Sequence, residues 1–411
     1  MKIADVFTPR SSNVNLKTYV PRLTLERSLL RSIQGSMHSV LFGESGNGKS
    51  WLYKKVLDQH GYHYKIANCA NASRLGSITA EIISALIPAG TPKKTGYTEN
   101  KEATINAAIA GGKLSHQDQY SLHEDEPLKS ALARFRQNIG RGDAVLVIDN
   151  LESIFNNPKL MDELADIIIL LDDQRYSQYE IKFLIVGVPN GILEYFATTK
   201  NLESVSNRLE ELPKVGGMSL AMVKTLVERG FKNLLEINLS PEEIDTIASH
   251  IHYCTMGIAQ RTQEYCERLA YKLEDNKNVF RPDVLNETDL EWLKMGLRQS
   301  YTVIESNLNS KKTTIARRNQ VVYCIGKINT HQFDSSKIAE KVREEFPETA
   351  KENSMDIGGI LSELTTSNPP LLKKNPKTNE YRLADPRYSM CIRTMLRKQS
   401  NGIIDKLSFA C

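Results

Sequence analysis

Four short apolar runs punctuate the first half of the chain: residues 39–42, 62–67, 144–148 and 182–187. Between them the pattern of polar and apolar positions is helical. Short β-branched runs suit strands buried on both faces, and strands alternating with helical stretches predict a parallel sheet with crossover helices. From about residue 88 to 126 the alternation stops, and Gly90, Pro92, Gly96, Gly111 and Gly112 stand among many Lys, Glu, Asn and Gln residues. That stretch predicts an inserted surface loop with one short helix near Glu102–Ala110.

Residues 200–275 pattern as helices throughout. Ser240-Pro241-Glu242-Glu243 carries a helix start: a serine cap, proline at the first helical position and acids in the first turn. Residues 286–411 predict further helices and a hairpin, with strands at Leu371–Lys374 and Glu380–Leu383 around the turn Asn375–Asn379. The apolar run Val321–Gly326 reads as core. The expected division is an arm over 1–17, an α/β domain over 18–200 with its insertion, a helical domain over 201–280 and a last domain over 281–411.

Composition adds exclusions. With 411 residues the chain is too long for one core, and 40% apolar with 25% charged residues excludes disorder as its main theme. No run approaches 18 apolar residues, so no transmembrane helix is expected, and the opening Met1–Val6 lacks a basic-then-apolar leader. Six scattered cysteines suggest neither a disulfide framework nor a zinc ligand set, so a reduced, cytoplasmic protein is expected. The net charge is +4; residues 281–411 hold 21 Lys and Arg against 16 Asp and Glu, so that segment carries about +5 and the rest about −1. Lys311, Lys312, Arg317 and Arg318 form a small basic cluster, read first as a solvated helix face.

The chemistry concentrates at Gly43-Glu44-Ser45-Gly46-Asn47-Gly48-Lys49-Ser50, which follows a strand-like run and precedes a helix-like one beginning at Trp51. This is the G-x-x-x-x-G-K-[ST] pattern. Its glycines let successive amide N–H groups face one concavity, and the helix that follows adds its positive end. Lys49 is expected on the β- and γ-phosphates of ATP, and Ser50 on Mg²⁺. A second Mg²⁺-side carboxylate is expected from Asp149, at the end of the apolar run 144–148. Asn150 follows it where an acid is usual, so Glu152 is the first candidate to polarise the attacking water, with Glu44 as an outside one. Asn190, after the fourth run, is a candidate γ-phosphate sensor. Arg208 is a candidate to stabilise transition-state charge on a neighbouring subunit. No second catalytic centre emerges.

Together these residues resemble an AAA+ ATPase of the initiator (origin-recognition) and transposition-regulator type, from Tyr19 to about Lys272 and more weakly beyond. Tyr19-Val20-Pro21-Arg22, followed by Leu25-Glu26, resembles the family's segment over the adenine, and Asn68-Cys69 its Asn-Cys pair. Asn190 matches sensor 1, Arg208 the arginine finger, and Gly257–Arg261 the sensor-2 turn, with Arg261 toward the γ-phosphate. Two departures stand out. Val147–Glu152 is closer to the aspartate strand of STAND (NB-ARC-like) ATPases, yet Val188-Pro189-Asn190 stands where that group has its arginine. The resemblance implies a P-loop core, a helical lid, a C-terminal winged-helix-like domain, bound ATP with Mg²⁺, and a homo-oligomer. As a DNA reader the last domain would use the helix near Asp356–Thr366, with Lys373, Lys374 and Lys377 on phosphates. That helix has no Lys or Arg and carries Asp356 and Glu363, so docking onto protein is equally supported.

The expected function is an ATP-binding, slowly hydrolysing oligomeric switch. Three settings compete: a bacterial antiviral-defence ATPase acting with a partner effector protein, which the mixed motifs favour; a DNA-binding ATPase of initiator or transposition-regulator type; and a nucleotide-stabilised scaffold. No membrane partner is expected.

Overall fold

The computed structural model describes residues 1–87, 126–187, 202–309, 316–350 and 355–409. The insertion expected at 88–126, all but its last residue, therefore lies outside the described residues, as do Asn190, Lys311 and Lys312. The chain forms two compact units. One comprises Arg22–Ser45 and Lys49–Val215; the other comprises Met1–Pro21, Gly46–Gly48 and Gly216–Cys411.

The α/β unit is built on a five-stranded parallel sheet: β1 (His38–Phe42), β2 (His63–Asn68), β3 (Ala144–Asp149), β4 (Ile181–Gly187) and β5 (Leu209–Glu211), in the order β2-β3-β4-β1-β5. All four apolar runs are strands. Side chains of a strand point alternately to its two faces, and the cores follow that alternation. Val40, Leu146, Ile148, Phe183 and Ile185 enter one hydrophobic cluster, whereas Leu41, Val145, Val147, Leu184 and Val186 enter the other. The first face is covered by the helices Cys69–Leu75, Ile78–Leu86, Pro127–Ile139 and Pro158–Leu170, and the second by Leu23–Gln34 and Lys49–Gln59. Every residue of β3 is buried, which is why its sequence is uninterruptedly apolar up to Asp149. β5 was not anticipated; it is three residues long, and Glu210 and Glu211 are exposed.

At the entry to β1, His38 Nδ1 accepts a hydrogen bond from Phe183 N–H (3.2 Å). Burial, then the nearby Lys182 charge, lowers the His38 pKa to about 4, against a smaller opposing pull from Asp172. The folded chain thus refuses a proton that the unfolded chain takes up below about 6.5. This stabilisation is complete above that pH and is lost as pH falls toward 4. Between pH 7 and pH 5 the urea midpoint is expected to drop by the equivalent of about 1–2 kcal/mol, and less so in His38→Gln. An unchanged pH slope in the variant would remove His38 from the account.

The second unit is helical. Its helix Pro241–Thr255 opens as the sequence indicates: Ser240 Oγ accepts from Glu243 N–H (3.2 Å), and Glu243 Oε2 accepts from Ser240 N–H (2.8 Å). The polar opening segment also carries apolar anchors. Ile3, Val6 and Phe7 are buried in this unit's core, with Phe7 against Phe231 at 5.0 Å between ring centroids.

Toward the C-terminus the order is helix Arg317–Lys327, an isolated antiparallel bridge at Phe333, helix Ser335–Glu345, helix Ile357–Thr366, and the hairpin β6 (Leu372–Lys374) with β7 (Tyr381–Leu383). Phe333 pairs with Tyr381, so it adds a third short strand segment to the hairpin. The run Val321–Gly326 is buried within its helix. A second hairpin, β8 (Leu396–Lys398) with β9 (Ile404–Lys406), follows the helix Arg387–Met395. No helix among the described residues is long and apolar enough to cross a membrane.

Candidate nucleotide site

The loop Gly43–Ser50 leaves the C-terminal end of β1 and enters the helix Lys49–Gln59. Gly43, Gly46 and Gly48 hold φ of +154°, +83° and +86°, a region in which a side chain is strained. At Gly43 there is also no room, since a Cβ would lie 2.3 Å from the Val215 carbonyl oxygen. Lys49 Nζ donates to the loop's own carbonyls, Gly43 O (2.7 Å) and Glu44 O (3.1 Å). Burial lowers the Lys49 pKa, while Glu152, Asp149 and Glu44, in that order, hold it up. The ammonium therefore sits at the focus of three carboxylates. Glu44 is itself paired with Lys214 at 3.2 Å.

Asp149 emerges from β3 opposite Asn68 of β2 and is 9% exposed. Its Oδ2 accepts from Tyr53 OH (2.9 Å) and lies 3.5 Å from Ser50 Oγ; its Oδ1 accepts from Asn150 N–H (2.8 Å). Tyr53, one helical turn after Lys49, went unnoticed in the sequence although its spacing brings it to the same helix face. Burial, then Asp149, keeps its phenol far above the usual range, so it is a permanent donor. A serine hydroxyl beside a carboxylate, both reached from one glycine cradle, is an all-oxygen set suited to a hard divalent cation. Ser50 and Asp149 thus fit Mg²⁺.

Asn150 has φ of +59°. The turn after β3 needs the left-handed region, which asparagine tolerates better than an acid with a longer side chain. The 3₁₀ turn Leu151–Ser153 then returns Glu152 to the site. Its Oε2 lies 2.7 Å from where a Cβ on Gly187 would stand, at the end of β4, so Gly187 makes room for the carboxylate. Cys69, on the neighbouring helix start capped by Asn68, is buried; burial, then Asp149 and Glu152, pushes its thiol up to about 12. It is inert.

Arg208 stands elsewhere. Its carbonyl accepts from His38 N–H (2.9 Å), so it lies at the entry end of β1 while the P-loop leaves the exit end, about 13 Å away along the strand. Its guanidinium pairs with Asp172 (2.7 Å). Arg22 N–H donates to Glu26 Oε1 (2.8 Å), and Lys55 holds Glu26 Oε2 (2.7 Å). Trp51 is partly buried on the helix after the loop. Tyr19, Val20, Pro21 and Arg261 belong to the helical unit. There Tyr19 is buried with its carbonyl on Arg229 (2.8 Å), and Arg261 pairs with Glu264 (2.6 Å). The structure thus brings Lys49, Ser50, Asp149 and Glu152 together and sets Arg208 apart.

A sheet order with the P-loop strand between β4 and β5, and an acidic strand end one place further on, defines a P-loop ATPase core. Residues 31–196 match the family described as an AAA domain. Among solved structures, a Walker-type ATPase of Pyrococcus abyssi is 15% identical, with a TM-score of 0.51, over 91% of this chain and 96% of that one. The ADP form of the ORC2 protein of Aeropyrum pernix is 13% identical (TM-score 0.48; 95% of each chain). Cdc6p from Pyrobaculum aerophilum is 14% identical (TM-score 0.42; 95% and 96%). At 15% identity the first of these is a likeness of fold alone. None of the curated proteins compared with this chain matches it.

Proposed function

We propose that this protein is an ATP-hydrolysing oligomeric switch of the initiator type, with double-stranded DNA as its partner. The observation that carries the ATPase reading is the convergence of Lys49, Ser50, Asp149 and Glu152 around one glycine-shaped loop. ATP is the substrate. Lys49 exchanges the carbonyls of Gly43 and Glu44 for phosphate oxygens, and Asp149, aligned by Tyr53 and Asn150, supports the cation side with Ser50. Mg²⁺, when bound, neutralises phosphate charge. Glu152 accepts the proton of the attacking water, its charge balanced by Lys49. Arg208, at the far end of β1 from its own P-loop, serves a neighbouring copy, and this supports the homo-oligomer.

DNA is favoured over a separate effector protein by the C-terminal elements. Helix, strand segment, two helices and a hairpin follow the winged-helix order, and Lys373, Lys374 and Lys377 are exposed on the hairpin. Of the two acids that counted against DNA, Glu363 pairs with Arg318 at 2.8 Å. Arg317 and Arg318 themselves donate inward, to Gln320 and to the Asn307 carbonyl, so they are not a free basic patch. The antiviral-defence setting has no comparable support.

The test is the steady-state ATPase rate with and without duplex DNA across a salt series. DNA is expected to raise turnover with an effect that falls steeply with salt. Arg208→Ala is expected to cut turnover by about 10³-fold at unchanged ATP affinity. DNA indifference at low salt defeats the partner reading alone. Equal loss of affinity and turnover in the arginine variant makes Arg208 structural.

A further inference from the structure

Away from the sheet, three helices of the helical unit turn polar atoms toward one buried point. His250 and Cys254 lie one turn apart on Pro241–Thr255, and Asp289 lies on Pro282–Gly296. His250 Nε2 is 3.0 Å from Asp289 Oδ1 and 3.6 Å from Cys254 Sγ, and Cys254 Sγ is 4.0 Å from Asp289 Oδ1. Asp289 and Cys254 are fully buried, whereas the His250 side chain is 21% exposed. Tyr265, on Ala259–Asp275, donates to Asp289 Oδ1 (2.7 Å), and Arg397 holds Oδ2.

His250 and Asp289 stand within hydrogen-bond distance, and Cys254 lies near both. Here one imidazole nitrogen, with one proton at most, faces both an oxygen and a sulfur, and those two also face each other. Ligands around a tetrahedral zinc, at bond lengths of about 2.0 Å to N and O and 2.3 Å to S, stand about 3.3 Å apart for N and O and about 3.5 Å apart for either and S. The observed nitrogen–sulfur edge of 3.6 Å matches, the nitrogen–oxygen edge of 3.0 Å is a little shorter and the sulfur–oxygen edge of 4.0 Å longer, so closing on an ion needs a small adjustment of Cys254. We propose that His250, Cys254 and Asp289 bind one Zn²⁺-class ion that pins the helices of this unit together. Thiolate, imidazole and carboxylate select a borderline metal over Mg²⁺ or Ca²⁺. Arg397 holds the outer oxygen of the carboxylate and Tyr265 the ligating one, and the exposed edge of His250 gives an entry path. Among the described residues this is the one His/Cys/carboxylate group so placed. The sequence hid it because Asp289 is distant in the chain.

The experiment uses the full chain, purified with reductant and without chelator. Elemental analysis is expected to give about one zinc per chain. After chelator stripping, cobalt(II) added without nucleotide is expected to give intense tetrahedral visible bands and a near-ultraviolet thiolate-to-metal band, lost in Cys254→Ser. Cobalt at the P-loop, among oxygens alone, gives neither. A weak, octahedral spectrum, no binding at all, or a thiolate band that survives Cys254→Ser overturns the proposal. The wild-type spectrum decides even if the variant fails to fold.

Discussion

Lys49→Ala is expected to abolish nucleotide uptake, with a loss of at least about 100-fold in affinity for ATP or a slowly hydrolysed analogue in calorimetry with Mg²⁺. The lysine stands among Glu152, Asp149 and Glu44, which rank in that order as its electrostatic supports. Removing it takes away the phosphate's point charge and leaves those carboxylates to repel the triphosphate. In the free protein burial of the ammonium outweighs those supports, since its pKa is lowered on balance. The thermal midpoint is therefore not expected to fall alongside the lost binding. An affinity within threefold of wild type, in material that melts cooperatively, would show that the loop does not hold a triphosphate, and the proposed function would go with it.

Glu152→Gln is expected to separate binding from chemistry. Glutamine keeps the shape that Gly187 accommodates, so the 3₁₀ turn and the loop should stand unchanged. It removes the charge that would take up the water's proton, and general-base groups of this kind contribute about 10²–10⁴-fold. Turnover should fall by at least about 100-fold with ATP affinity within a few-fold of wild type, and ATP-dependent assembly should persist longer, by light scattering. A variant turning over within threefold of wild type would transfer the role away from Glu152. Glu44, paired with Lys214 at the other side of the loop, is the next carboxylate to test.

Both substitutions concern residues written plainly in the sequence, but for different reasons. Lys49 belongs to a contiguous motif whose backbone geometry its own glycines impose, so eight residues suffice to specify it. Glu152 was one acid among several after a strand. Only the left-handed turn at Asn150 and the gap at Gly187 explain how the second carboxylate arrives two residues late. Tyr53 shows the intermediate case: its helical spacing from Lys49 was visible, but its hydrogen bond to Asp149 depends on β3 lying where it does. β5 shows the opposite one, because an edge strand of three residues with two exposed glutamates leaves no periodic trace.

Local rules settled what lies close along the chain. They set four strands from their apolar runs, three of them buried and β2 a largely uncovered edge, the capped start at Ser240, the hairpin after Leu371, and the loop that ends in Lys49. Everything that requires distant segments to meet was decided by packing. The order of strands puts Asp149 two places from the P-loop strand. The pairing of β5 with β1 sends Arg208 to the end opposite its own P-loop, and the crossing of helices gathers His250, Cys254 and Asp289. A glycine's φ or a helix cap is fixed within a few residues, whereas the partner of a buried side chain is fixed by which surfaces the whole core must exclude from water.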